Sequence, residues 1–329
     1  MSDTVRLEEI VEAREGLVGH GVETPLLRSA ALDAVTGGTI LIKPECLQRT
    51  GSFKFRGAYT AVRRIPEERR ARGIVACSSG NHAQGVAAAA RIFGVPATIV
   101  MPADAPEVKL RRTAEYGAKV VTYDRVSEDR VAIARAICDE SGASFIHPFE
   151  NADVISGQGT VGLEIADQAK ALGLEPVSVL ACTGGGGLSA GIALALSHAL
   201  PESRFHTVEP EGFDDYKRSL EAGVPVSNEK LSGSICDAVM TERPGDIGFG
   251  ILNGLRRDGR LGEPLVVSDA EALAAVGFAF QELKLVVEPG GAIGLAALLS
   301  GKLDVRGKCA AVVLSGGNLD LRVLTGLTF

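Results

Sequence analysis

The 329-residue sequence has no tryptophan, no two cysteines at CxxC spacing, no surplus of basic residues and no apolar run of membrane-spanning length. Forty-one acidic residues outweigh 34 basic ones, a formal charge of −7, which excludes the basic footprint that a nucleic-acid binder needs. The densest basic run, 63–72, is interrupted by Pro66, Glu67 and Glu68 and reads as a solvated helix end. Without CxxC spacing, Cys46, Cys77, Cys138, Cys182, Cys236 and Cys309 read as free thiols, most of them in apolar strand-like runs, in a reducing compartment. Met1-Ser2-Asp3-Thr4 offers neither the basic start nor the apolar stretch of a signal peptide. Glycine and polar residues break every apolar run before it could span a bilayer. A soluble, cytoplasmic protein with neither membrane nor nucleic acid as partner is expected. Internal repeats, low-complexity segments and long linkers are also missing, so the length suits one large domain or two closely associated ones.

Apolar residues make up 46% of the chain and glycine numbers 40. The first is enough for a substantial core, and the second, at ordinary charge content, points to many tight turns. Short apolar runs at Ile40–Ile42, Ile74–Cys77, Ala97–Met101, Lys119–Tyr123, Val177–Cys182, Arg204–Glu209 and Ala310–Leu314 read as strands. Helical patterns lie between them at Ala83–Phe93, Val108–Tyr116, Glu128–Glu140, Gln158–Leu172, Leu188–Leu200 and Ala270–Leu283. Continuous apolar strands alternating with helices predict an α/β fold with mostly parallel sheet. Ligands of such sheets bind beyond the carboxyl ends of the strands.

Three of those ends carry polar, glycine-rich loops: Ser78-Ser79-Gly80-Asn81-His82, Thr183 with Gly184-Gly185-Gly186-Gly187, and Ser315-Gly316-Gly317-Asn318. The four glycines precede a helix, where close backbone approach, inward N–H groups and the helix N-terminus suit a phosphate. No lysine follows in the Walker pattern, which excludes a P-loop. A dinucleotide-binding Rossmann site stays open on this segment alone. Gly185, Gly187 and Ala190 fit its glycine fingerprint, and Glu209 closes the next strand where a ribose-binding acid would stand.

Gly51-Ser52-Phe53-Lys54-Phe55-Arg56-Gly57-Ala58 places a lysine at a helix start, with Ser52 as a potential N-cap. With Glu45-Cys46-Leu47-Gln48-Arg49-Thr50 before it, this segment resembles the cofactor-lysine motif of fold-type II pyridoxal-phosphate (PLP) enzymes, the group that includes serine and threonine dehydratases, serine racemase and the tryptophan synthase β subunit. Ser78–His82, His147-Pro148-Phe149, Gly157-Gln158-Gly159-Thr160, Gly184–Gly187, Val208-Glu209-Pro210, Glu288-Pro289 and Ser315–Asn318 resemble further blocks of the same family, in order and over nearly the whole chain.

The resemblance implies two open α/β domains. Residues 1–68 and 150–329 would form a discontinuous cofactor-binding domain, and 69–149 a small mobile domain closing over the substrate. It implies a homodimer acting on a small hydroxy amino acid. Lys54 would hold the cofactor as a Schiff base and serve as general base and acid, and Phe53 would pack near the ring. Asn81 would bond the phenolic oxygen, Gly184, Gly185, Gly186 and Gly187 would bind the phosphate, and Ser315 would meet the ring nitrogen. Ser78, Ser79, Gly80, Asn81 and His82 would cradle the substrate carboxylate. Glu209, Asp215 and the carbonyl of Phe213 would bind Mg²⁺ or Ca²⁺, whose preference is for hard oxygen ligands.

The implied reaction is dehydration and deamination of L-threonine or L-serine to a 2-oxo acid and ammonia. Ser315 favours it physically: a neutral hydroxyl does not hold a proton on the ring nitrogen as a carboxylate would, and elimination tolerates the weaker electron sink. Ser79 stands where racemase relatives carry a second proton donor, so serine racemisation is an alternative, as is elimination from threo-3-hydroxyaspartate. Phe149 offers no partner to a second carboxylate and suits a small side chain. Ala238, in Ser234-Ile235-Cys236-Asp237-Ala238, departs from the family's usual glycine and adds a methyl near the substrate side. One methyl discriminates by only about 1–3 kcal/mol. The chain ends shortly after Ser315–Asn318, so an appended amino-acid-sensing domain and isoleucine inhibition are not expected.

Overall fold

The computed structural model describes residues 5–78, 80–105, 107–124, 126–320 and 322. Among these, ten strands occur: β1 (Leu27–Arg28), β2 (Thr39–Lys43), β3 (Ile74–Cys77), β4 (Ala97–Pro102), β5 (Lys119–Tyr123), β6 (Ser144–Phe145), β7 (Ser178–Cys182), β8 (Arg204–Pro210), β9 (Leu265–Val267) and β10 (Cys309–Val313). They form a six-stranded sheet of order β1-β2-β10-β7-β8-β9 and a four-stranded sheet of order β5-β4-β3-β6. All pairings are parallel except β1 with β2. The expected α/β class with mostly parallel sheet is what the chain adopts.

The seven expected strands are all present, their ends shifted by no more than a residue or two. Six of them are buried on both faces, with Leu41, Ala181, Val312 and Ile99, for example, fully buried, whereas in β5 only Tyr123 is buried. Three short strands, β1, β6 and β9, are only two or three residues long and owe their pairing to neighbours. The helix expected over Ala270–Leu283 is α-helical only over Asp269–Phe278; Ala279–Leu283 forms a π-helical turn, closed by Lys284 in a left-handed conformation.

Around the larger sheet, helices Ala152–Ala171 and Gly187–Ala199 touch backbone to backbone: a Cβ on Gly191 would lie 2.5 Å from the Ile155 carbonyl oxygen and 2.6 Å from the Gly159 nitrogen. Helix Lys54–Arg64 lies against Ala152–Ala171 at a similar glycine contact, Gly57 with Gly157. Ser52 does not cap that helix. Its hydroxyl has no hydrogen-bond partner, and its backbone instead bridges Gly316 beyond β10, with Phe53 in the capping position. No helix among the described residues is long and apolar enough to cross a membrane.

Candidate active site

The carboxyl ends of β3, β7 and β10 open on one cleft between the two sheets. It has about 1020 Å³ of empty space, its open mouth included. Phe53, Lys54, Ser78, Gly80, Asn81, His82, Gly184, Gly185, Gly186, Gly187 and Ser315 all line it. Ser79 lies outside the described residues.

The backbone at Lys54 is pinned from β10: the Phe53 N–H donates to the Ser315 carbonyl at 3.0 Å. Lys54 Nζ donates to the Pro148 carbonyl at 3.0 Å and stands 5.2 Å from the Phe53 ring centre. Burial lowers its pKa to about 8, with Cys182 and Glu288 pulling the other way. A lysine amine that deprotonates near neutral pH is a competent nucleophile and base.

The four glycines leave β7 and enter helix Gly187–Ala199, with Gly186 left-handed at φ 89°. Side chains are excluded here by more than backbone preference. A Cβ on Gly185 would strike the Phe149 ring, and one on Gly186 the Tyr216 hydroxyl, which itself donates to the Gly185 carbonyl at 3.3 Å. The result is a cradle of backbone at a helix N-terminus, suited to a phosphate.

Asn81 opens helix Asn81–Phe93. Its Nδ2 donates to Glu288 Oε1 at 2.5 Å and its Oδ1 accepts from Asn318 Nδ2 at 2.7 Å. Burial, then the nearby Asp237, raises the Glu288 pKa to about 7, with Lys109, Asn81 and Lys54 opposing. His82 is buried, its Nε2 3.0 Å from the Ile146 carbonyl; burial lowers its pKa to about 3, so the ring is neutral.

Glu209, near the end of β8, and Phe213 and Asp215, just beyond it, are not among the residues lining the cleft. Both Glu209 oxygens accept first-turn N–H groups of helix Asp215–Ala222, from Tyr216 at 2.7 Å and Lys217 at 2.9 Å. Glu209 is therefore engaged as a helix cap and not extended toward a ribose. Asp215 accepts from Asn228 through Oδ1, and its buried Oδ2 has no partner. Burial raises the pKa of both carboxyls, Asp215 to about 6. Among the described residues no three His, Cys, Asp or Glu side chains group to hold a metal; this set has two carboxylates and a carbonyl.

Several lining residues carried no sequence signal. Lys109 and Arg130, from helices Glu107–Glu115 and Arg130–Ser141, reach the cleft, and Lys109 Nζ pairs with Asp237 at 2.9 Å. Each reads in sequence as one charge of an exposed helix face. Glu288 stands in a motif that was visible, but its contact with Asn81 spans 207 residues.

Residues 17–316 match the model of the family described as pyridoxal-phosphate dependent enzyme. The chain is 42% identical to an L-threo-3-hydroxyaspartate ammonia-lyase of Pseudomonas sp, over 97% of each chain. Among solved structures it is similar to a T.th. threonine deaminase (42% identity, 96% of this chain and 99% of that one, TM-score 0.89). It is also similar to maize serine racemase (34% identity, 98% and 96%, TM-score 0.91). The glycine cradle and the buried lysine fit a phosphate-bearing aldehyde cofactor, and the chain belongs to the pyridoxal-phosphate dependent enzyme family, among its fold-type II ammonia-lyases and racemases.

Proposed function

We propose that this enzyme eliminates the β-hydroxyl of L-threonine and L-serine, releasing a 2-oxo acid and ammonia. The observation that carries the reading is the placement of Lys54 Nζ, with a pKa near 8, in one cleft with the glycine cradle and a neutral Ser315 hydroxyl. Gly184–Gly187 hold the phosphate, Asn81 meets the phenolic oxygen and Ser315 the ring nitrogen. When bound, the cofactor supplies an electron sink for the bonds at the substrate's Cα.

The chain's own residues supply the rest. Lys54 Nζ takes the α-proton, and the protonated amine can give a proton to the departing β-hydroxyl, which leaves as water. Backbone N–H groups at the start of helix Asn81–Phe93, with the Ser78 hydroxyl, bind the substrate carboxylate. Ser315 places no negative charge beside the ring, so loss of the β-hydroxyl is favoured over a long-lived charge at Cα. Ser79 is the proton donor for any accompanying racemisation. Residues 69–149 act as a domain that closes on the substrate and excludes water. Lys109 with Asp237, Asn81 with Glu288 and Arg112 with Asn318 are the contacts that closure tightens.

One observation favours a second substrate, L-threo-3-hydroxyaspartate. Arg130 lines the cleft, and among the described residues no ion pair within 4.0 Å engages its guanidinium, the neighbouring Asp129 acting on it only electrostatically. It is available to a substrate's second carboxylate. The test is 2-oxo acid release from the three substrates by wild type and Lys54→Ala, beside their visible absorption spectra. A cofactor band and turnover in the wild type alone support the reading. A wild type that takes up no PLP overturns it.

A further inference from the structure

Cys182 ends β7 and Ser315 follows β10, the neighbouring strand. Both are 4% exposed, and the Cys182 thiol lies 3.1 Å from Ser315 Oγ as donor. The serine backbone is already engaged, its N–H to the Gly291 carbonyl at 3.3 Å and its carbonyl with the Phe53 N–H at 3.0 Å. Among the described residues, Ser315 Oγ has no other hydrogen-bond partner. Burial holds the thiol protonated, with a pKa near 11, so it retains a hydrogen to give.

A serine hydroxyl has one hydrogen and two lone pairs. If the thiol donates to the oxygen, the serine hydrogen is left for the cleft. In the opposite arrangement Ser315 donates to sulfur, a weak acceptor, and presents only a lone pair to the cleft. An acceptor in the cleft decides between these, because S–H to O–H to acceptor forms a chain whose links strengthen each other.

We propose that Cys182 is a positioning residue that commits Ser315 to donate its hydrogen to the cofactor's ring nitrogen. The inference rests on the reading of Ser315 as that nitrogen's partner. The hydrogen stays on Ser315 Oγ and the nitrogen carries no proton, which keeps the electron sink moderate and the chemistry on the side of elimination.

The test uses holoenzyme loaded with PLP labelled with ¹⁵N in the ring. It reads the ring-nitrogen shift against pH and the dissociation constant of the cofactor in wild type, Cys182→Ala, Cys182→Ser and Ser315→Ala. The wild-type nitrogen is expected to stay unprotonated across the pH range in which the holoenzyme survives. Cys182→Ala brings its titration into that range and weakens cofactor binding about 3- to 10-fold, the effect of one modest hydrogen bond. Cys182→Ser keeps a donor and restores both. A Cys182→Ala enzyme with wild-type shift and affinity, while Ser315→Ala alters both, overturns the role of Cys182 and leaves the Ser315 reading standing. Ser315→Ala identical to wild type overturns both, as does a protonated nitrogen in the wild type. Should Cys182→Ala not fold, a Cys182→Ser enzyme that behaves like Ser315→Ala overturns the proposal.

Discussion

Two residues beyond Lys54, the guanidinium of Arg56 is clasped by Glu45 and Glu164, with Nε 2.8 Å from Glu45 Oε2 and Nη1 2.5 Å from Glu164 Oε1. Lys43 completes the cluster through Glu164 at 2.6 Å, and all four side chains are buried. It joins β2 to helices Lys54–Arg64 and Ala152–Ala171, so the lysine's helix is held from beneath by charge as well as by packing.

Removing one member strands the others. Arg56→Ala is expected to lower unfolding stability by about 3–5 kcal/mol, the usual cost of an uncompensated buried charge. Arg56→Lys recovers only part, because an ammonium cannot serve two carboxylates as a fork does. Urea unfolding measures both. Burial pushes the Glu45 carboxyl up, but Arg56, with Lys43 and Thr24, outweighs it and holds the pKa below the usual 4.5. The contribution of Glu45 is therefore complete above that pH and is lost as pH falls through the folded-state value.

Uptake of PLP by the cofactor-free enzyme requires a neutral Lys54 amine. Its lowered pKa of about 8 predicts a rate of uptake that rises with pH and levels off above that value. Stopped-flow absorbance gives the profile. A midpoint near the free-lysine value of 10.5 would contradict the burial of the amine.

Gly186→Ala meets both a left-handed φ and the Tyr216 hydroxyl. A backbone penalty of about 1–2 kcal/mol is the minimum, and the clash adds to it. Cofactor affinity should fall at least tenfold while the circular dichroism spectrum stays native. Equilibrium dialysis with PLP checks the first expectation.

Arg130→Ala separates the two substrate readings. If Arg130 binds a second carboxylate, kcat/KM for L-threo-3-hydroxyaspartate falls by about 10- to 100-fold, equivalent to a charge-assisted hydrogen bond of roughly 1.5–3 kcal/mol. The value for L-serine changes by less than about threefold. Equal losses on both would assign Arg130 to closure of the cleft.

Glu209 and the unpaired Asp215 oxygen predict that Mg²⁺ or Ca²⁺ raises the melting temperature of the wild type and not that of Asp215→Asn. At a hundredfold excess over the dissociation constant the gain is about 2.7 kcal/mol. Calorimetry with and without the ion reads it. An unchanged wild type would leave Glu209 as a helix cap alone.

Much of this was legible in the linear chain because it is local. Strands buried on both faces announce themselves as apolar runs, and loops that must approach an anion announce themselves as glycine. Lys54 was identifiable from its immediate neighbours, and the tetraglycine loop from its place between β7 and a helix. The short strands β1, β6 and β9 were not, since their two or three residues pair only because a longer strand lies alongside. Ser52 shows the same limit in reverse: its sequence reads as a helix cap, but a backbone bridge to Gly316 decides its conformation.

The sequence by itself therefore determined the fold class and family, and it singled out Lys54 and the tetraglycine loop, each set by residues within a few positions of one another, as the proposed holders of the cofactor. Only the tertiary structure decided that Arg130 and Lys109 face the cleft, that Glu288 meets Asn81 and that the Cys182 thiol meets Ser315. The last two contacts join residues 207 and 133 positions apart. Hydrogen bonds and charges act over a few ångströms of space, and separation along the chain carries no trace of that proximity until the sheets have formed.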